Sequence, residues 1–419
     1  MTESPDRRQF LKLSGVTTAL ALAGCSQTDS GPGEDGGSPP GGTDSGPDGG
    51  TTDGSSETQN LTPLTVDESW PSYRADSSNT GHTTNAGPGS DLEVRWTSTD
   101  VHARGGFVLA EGTVFVGSYL ENSFVAFDAA SGREQWRFEP SGPVVASPEY
   151  TDGTIVFPTK SGTMYALDAA DGTEQWQLSA GRYATPTAVD GTLFVPDEPV
   201  LAVDAASGET LWEHSITESP WGYHPVAVAD DTVYLSDNEW GLYAIDSESG
   251  ETVWETTLGE GAAPATGTMP LIDGSGDDSG QRTIYLSNGT QFTAVDAASG
   301  EKRWTYETPD PVDQPAALAD GTVILLSGAG NMHALDAATG EQQWTKDLFG
   351  SLTDPVVADG TVYVMDKDTV LYALDVATGD EQGQFEIDPL GHDSPAIASG
   401  VIFVATNEGV VALQSADAA

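Results

Sequence analysis

A phrase of the form Ala-x-Asp-x-x-x-Gly returns seven times along this chain, and six of the copies carry a Trp four residues after the Gly. The six are Ala126-Asp128-Gly132-Trp136, Ala166-Asp168-Gly172-Trp176, Ala202-Asp204-Gly208-Trp212, Ala244-Asp246-Gly250-Trp254, Ala294-Asp296-Gly300-Trp304 and Ala334-Asp336-Gly340-Trp344. In the seventh, Ala373-Asp375-Gly379, Gly383 stands where Trp is expected. Successive Asp residues lie 40, 36, 42, 50, 40 and 39 apart. A unit of that length cannot bury its apolar face alone, so neighbouring units must stack on one another.

Upstream of each copy lies a second phrase, such as Asp152-Gly153-Thr154-Ile155-Val156-Phe157 or Asp359-Gly360-Thr361-Val362-Tyr363-Val364, usually preceded by Pro. An apolar run, an Asp-Gly turn, a β-branched and aromatic run, a loop, a further apolar run and a second Gly turn make four strands per unit. Asp bonds nearby backbone amides and Gly accepts positive φ, so the repeated Asp and Gly are assigned to turns rather than to chemistry. The spacing predicts an all-β, eight-bladed β-propeller of four-stranded antiparallel blades over residues 65–419. The hairpin ending near Leu413 lacks a fourth strand, and Leu92–Trp96 is a Trp-bearing strand with no hairpin before it. Pairing the two closes the ring and removes both exposed sheet edges. Seven blades with one irregular insertion is the alternative count. Trp96, Trp136, Trp176, Trp212, Trp254, Trp304 and Trp344 are expected on outermost strands, docked against the adjacent blade.

The repeated phrase resembles the tryptophan-docking motif of quinoprotein-like propellers, the family that includes alcohol dehydrogenases dependent on pyrroloquinoline quinone (PQQ). It is similar as well to a lipoprotein subunit of the bacterial outer-membrane assembly machinery and to non-catalytic sensor domains. The stretch from Trp70-Pro71-Ser72-Tyr73 to Asn79-Thr80-Gly81 looks like the lead-in such chains carry. The motif specifies fold far more closely than activity.

The first part of the chain reads as an address. Arg7-Arg8, with Phe10 and Lys12 at their offsets, is followed by an apolar stretch too short to span a bilayer stably, and resembles a twin-arginine export signal. Leu22-Ala23-Gly24-Cys25 looks like a lipobox, in which cleavage before Cys25 and lipidation of its thiol are expected. Residues 1–25 are therefore read as a signal peptide with lipobox, and 26–64 as a disordered acidic Gly/Ser/Thr/Pro tether reaching about 35 Å. Cys25 is the single cysteine, which rules out an intrachain disulfide or a multi-cysteine metal cluster. The expected location is the outer face of the cytoplasmic membrane, reached by the twin-arginine route and held by lipid on Cys25.

Net charge is −50, with 65 Asp and Glu against 15 Lys and Arg. Such a surface resembles the halophilic proteins of salt-loving archaea, where screening tames the self-repulsion. It repels phosphate backbones, so no nucleic acid partner is expected.

Because the turn phrases share one face and barely vary, localised function should sit on the opposite face, where loops differ from blade to blade. Just before the innermost strands come His102, Arg104, Arg182, Tyr183, Trp221, Tyr223, His224, Met269, Asp313, Gln314, Asp354, His392 and Asp393. The richest unit carries Trp221, Tyr223 and His224, with Glu239 and Trp240 on its other loop. Arg182, Tyr183, Trp221, Tyr223, His224, Trp240 and His392 are the ligand-binding candidates, with an aromatic platform set against simple filling of the channel mouth. His102, His224 and His392 are read as separate solvated side chains rather than a metal site. An insertion, Asp273-Gly274-Ser275-Gly276-Asp277-Asp278-Ser279-Gly280, explains the spacing of 50. Asp273, Ser275 and Asp277 are candidate calcium ligands, against the plainer reading of a flexible acidic turn.

These readings point to a non-catalytic, lipid-anchored scaffold that binds an extracellular or membrane protein, or another ligand, with no catalytic residue and no cofactor except possible calcium. The alternative is a PQQ- and calcium-dependent dehydrogenase-like oxidoreductase. The family's dehydrogenases place quinone and calcium on the propeller axis, and many use an adjacent cysteine pair that the mature domain here lacks.

Overall fold

The structure, a computed structural model, describes residues 68–99, 101–216, 225–237, 241–259, 269–273, 281–312, 314–348, 350, 353–387 and 394–416. They form an eight-bladed β-propeller. Each blade is an antiparallel sheet of four strands, and the first strands of successive blades touch around the axis. Blades 1 to 7 take their four strands in sequence order, from Ala103–Ala110 through Glu134–Phe138 in blade 1 to Val356–Ala358 through Glu381–Glu386 in blade 7. Blade 8 combines Ala396–Ala398, Val401–Thr406 and Gly409–Ser415 with Leu92–Ser98 from the other end of the chain. In that closing pair Leu92 faces Ser415, Trp96 faces Ala412 and Ser98 faces Val410.

The local chemistry explains the regularity. Asp152 and Gly153 both have positive φ, 45° and 81°, which gives the mirror-image turn whose twist matches a hairpin. The fourth strand of each blade carries a bulge against the third, as between Ala126 and Phe127 or Ala202 and Val203, and the bulge turns the outer strand beside its Trp. Between blades, apolar faces interdigitate. Phe124 of blade 1 stacks on Phe157 of blade 2 with ring centroids 3.9 Å apart, inside a cluster that also holds Val108, Phe115, Ile155 and Leu167. The core is therefore a series of inter-blade seams, each built by the repeat itself.

Candidate functional site

On the turn face, one peptide in each of blades 1 to 7 serves both its own sheet and its neighbour. The Ala169 amide donates to the Gly153 carbonyl of the same blade, and its own carbonyl accepts from Trp136 Nε1 of the preceding blade at 3.0 Å. The arrangement recurs from Trp96 on Ala129 and Trp176 on Ala205 to Trp212 on Ser247, Trp254 on Ala297, Trp304 on Ala337 and Trp344 on Val376. Each indole lies on the turn glycine: a Cβ added to Gly172 would sit 2.6 Å from the Trp136 ring, and its φ is +73°. The repeated Asp holds the same turn, as where Asp204 Oδ1 accepts from the Ser207 amide and hydroxyl at 2.8 and 2.6 Å. This face is occupied by structural work in blade after blade.

The axis is filled by the chain's own lead-in. Trp70 and Leu109 of blade 1 exchange backbone hydrogen bonds, and Pro71, Ser77, Ser78, Thr80 and Gly81 each accept from the innermost strand of another blade. Their donors are Tyr150, Val228, Ile272, Leu318 and Val357. His82–Thr83 then runs parallel to Val356–Ala358 of blade 7. Two buried side chains act as cross-braces. Arg74 Nη2 donates to Ala316 and Pro355 carbonyls at 2.9 and 2.8 Å, joining blades 6 and 7, while Asn79 Nδ2 donates to Val226 and Pro270 carbonyls at 3.0 Å, joining blades 4 and 5. Sequence reasoning saw this stretch as a lead-in and left open whether the channel is open or plugged. The available signal was an Arg and an Asn in a segment outside the repeat, close after a Trp that the docking pattern does not use.

Buried charge collects along this strap. Glu149 accepts from Ser72 Oγ at 2.9 Å and from the Ala188 amide at 2.8 Å, and complete burial pushes its carboxyl up to about 8. At neutral pH it is largely protonated. Burial likewise raises the Asp76 carboxyl, against hydrogen bonds from Thr80 and Ser78 that lower it. Asp354 accepts from Tyr73 Oη at 2.7 Å and Ser394 Oγ at 2.8 Å, with Arg74 Nη1 at 3.5 Å. The resemblance noted above implies quinone and calcium on the axis, and these two axial carboxylates do not fit a calcium ion. Glu149 is held neutral, and Asp354 is engaged by a guanidinium that would repel a cation.

On the loop face, Arg182 and Tyr183 are exposed in the connection between blades 2 and 3. Lys160, on a loop of blade 2, donates through Nζ to Tyr119 Oη of blade 1 at 3.1 Å and lies 5.0 Å from the centre of that ring. The Ala180 amide donates to the Gly162 carbonyl at 3.1 Å, which sets the connection carrying Arg182 and Tyr183 beside the loop of Lys160. His102 is exposed beside Glu121, far in sequence from the other candidate histidines. Trp221, Tyr223, His224, Trp240 and His392 lie outside the described residues, as do Ser275, Asp277 and Cys25. Asp273 is described: its amide donates to the Thr283 carbonyl at 3.0 Å and its carbonyl accepts from Arg282 Nη1 at 2.8 Å. Lys160 and Tyr119 were not singled out from the sequence. They sit inside loops whose lengths show nothing unusual, and only the ring brings them beside Arg182.

Solved structures of the same fold include BamB from Moraxella catarrhalis, with 18% identity and a TM-score of 0.63 over 78% of this chain and 98% of that one. A europium-containing methanol dehydrogenase is similar at 15% identity and TM-score 0.69, covering 80% of this chain and 89% of its own. The quinohemoprotein alcohol dehydrogenase from Comamonas testosteroni is similar at 14% identity and TM-score 0.67, covering 82% and 80%. At such identities the likeness is one of fold. No curated protein sequence matches the chain. The model of the family described as outer membrane protein assembly factor BamB matches residues 89–199, 196–316 and 291–419, most of the propeller in three overlapping stretches, and the chain belongs to that family.

Proposed function

We propose that the chain is a non-catalytic scaffold that binds other proteins through its loop face, held by lipid on Cys25 outside the cytoplasmic membrane after twin-arginine export. The observation that carries this reading is the axial strap. Among the described residues, Arg74, Asn79, Glu149 and Asp354, polar groups at the axis, are bonded to the chain itself. Ligands are then left to the loop face, whose residues differ between blades. Membership of a family described by an assembly factor supports a protein partner as the class of ligand, while the printed role belongs to BamB alone.

The test is affinity capture from membranes in native salt, with the lipidated full chain. A reproducible partner lost on Cys25→Ser, yet recovered with the purified soluble domain, supports both binding and anchoring. A correctly folded domain that enriches nothing contradicts the reading.

A second reading, a PQQ-dependent oxidoreductase, is favoured by the similarity to quinone dehydrogenases in fold. When bound, the quinone would supply two-electron oxidation of an alcohol or sugar. Reconstitution with PQQ and calcium decides between the readings, since a bound-quinone absorbance band with dye reduction would replace the scaffold by an enzyme.

A further inference from the structure

Cations are scarce in this molecule, and most have an assigned place. Of the 15 Lys and Arg, Arg7, Arg8 and Lys12 precede the propeller. Within it, Arg137, Arg282, Arg303 and Lys346 are ion-paired with Glu134, Asp230, Asp296 and Glu381, and Arg74 with Asp354. Arg95 bonds Gln414 and the Ala130 carbonyl, and Lys302 bonds the Leu258 carbonyl. Lys160, Arg182, Arg133 and Lys367 are exposed and have no carboxylate partner among the described residues. Of these, Lys160 and Arg182 lie on adjoining loops, joined where the Ala180 amide donates to the Gly162 carbonyl at 3.1 Å. In a chain of net charge −50, two neighbouring exposed cations are a local concentration of positive charge on an otherwise strongly acidic surface. Glu121 has Ser118 and His102 as its partners and Asp197 has the Glu198 amide, so neither is paired with Lys160 or Arg182.

The same place is unusually apolar. Leu120 and Tyr183 are the two most exposed large apolar side chains described, at 63% and 57%. Leu120 directly follows Tyr119, whose ring centre lies 5.0 Å from the Lys160 ammonium. The patch is also braced. The Lys160 amide donates to the Pro143 carbonyl at 2.8 Å, the Val144 amide to Ser118 at 3.0 Å, and the Ala180 amide to Gly162 at 3.1 Å, which ties the loops of blades 1 and 2 to the connection carrying Arg182. Aromatic, aliphatic and cationic groups on a backbone already in place are what a protein interface uses as anchors.

We propose that Tyr119, Leu120, Lys160, Arg182 and Tyr183 form a docking patch for an acidic peptide segment of the partner protein. Its carboxylates pair with the Lys160 ammonium and the Arg182 guanidinium, the latter able to take a carboxylate in two parallel hydrogen bonds. Apolar side chains between those carboxylates pack on Leu120 and the two Tyr rings. Long-range repulsion from the rest of the surface fades beyond about 8 Å at physiological ionic strength and sooner in stronger salt, so recognition is by contact. This inference rests on the reading of the loop face as a protein-binding surface.

The probe is a dye-labelled dodecapeptide of alternating Glu and Leu, titrated with the full chain by fluorescence anisotropy. A peptide with Gln in place of Glu and the Lys160→Ala, Arg182→Ala double variant are the controls. We expect the Glu peptide to bind, and either control to weaken it at least tenfold while the thermal midpoint of the double variant stays that of the parent. Binding no tighter than about 1 mM, equal binding by the double variant, or equal binding of the Gln peptide overturns the patch. Displacement of the peptide by the same concentration of acetate carboxylate would reduce it to a small-anion site and overturn it as well. These outcomes are separate from those of the scaffold reading. Quinone turnover would sink that reading without altering the peptide titration, whereas a captured partner that still binds the double variant would sink the patch alone.

Discussion

At seven blade junctions an indole from one outer strand lies on the Asp-x-x-x-Gly turn of the next blade, and between blades 7 and 8 it does not. Gly383 faces Ala373 in the same register in which Trp344 faces Ala334, yet a Cβ there would already meet the Ser90 carbonyl at 2.2 Å. Blade 8 has no such turn, because its third and fourth strands, Gly409–Ser415 and Leu92–Ser98, come from opposite ends of the chain. The incoming segment takes the place of the indole: the Gly89 carbonyl accepts from Tyr363 Oη at 3.1 Å, and the Ala416 amide donates to Asp91. A Trp clamp therefore needs two parts, and where the chain ends meet both are missing together. The absent Trp marks the seam at which the ring closes.

The largest effect should come from removing the seam. Without residues 1–98, blade 8 loses a strand, the axis loses its strap, and edges open on both sides. Circular dichroism and denaturant titration should show no cooperative unfolding, whereas removal of 1–64 alone should leave the transition intact. A single clamp is the next step down. Trp344→Ala removes a nearly buried indole and its hydrogen bond to Val376, and should cost about 3–5 kcal/mol in denaturant unfolding.

Glu149→Gln probes the strap where it meets blades 2 and 3. The folded carboxyl titrates near 8, above its unfolded value, so its contribution is complete below the unfolded value and is lost as pH rises through about 8. Gln can donate to Ser72 and accept from Ala188 in the manner of the neutral acid. The variant should match the parent near pH 4, gain on it progressively as pH rises, and unfold at a clearly higher midpoint at pH 9. Equal pH profiles would mean that Glu149 is not held neutral by burial. The smallest effect belongs to the insertion of blade 5. If Asp273 and Asp277 contribute to calcium binding, isothermal titration of the parent should give heat that the Asp273→Ala, Asp277→Ala double variant lacks, with little change in global stability.

The fold was legible in the chain because each blade repeats its own instructions. Asp-Gly, the β-branched run and Ala-x-Asp-x-x-x-Gly each act over a few residues, so seven copies report the same sheet, and the spare strand at Leu92 located the closure. The axial strap was legible only as a lead-in. Its contacts join Arg74 to Ala316 and Pro355, and Asn79 to Pro270, across separations that no local pattern encodes. The loop face was legible as the place where blades differ, which singled out Arg182 and Tyr183. Lys160 and Tyr119 gained meaning only from proximity, because a lone Lys and a lone Tyr in separate loops carry no spacing signal.

The account of the seam is tested most directly by putting the consensus residue back, as Gly383→Trp, and measuring the denaturant midpoint. By the repeat alone this variant completes an eighth clamp and should gain stability. By the structure it drives an indole into Ser90 with no turn to receive it, and the midpoint should fall by an amount equivalent to roughly 1–3 kcal/mol. A midpoint at or above that of the parent would contradict the claim that the incoming chain, rather than a missing side chain, shapes the eighth junction.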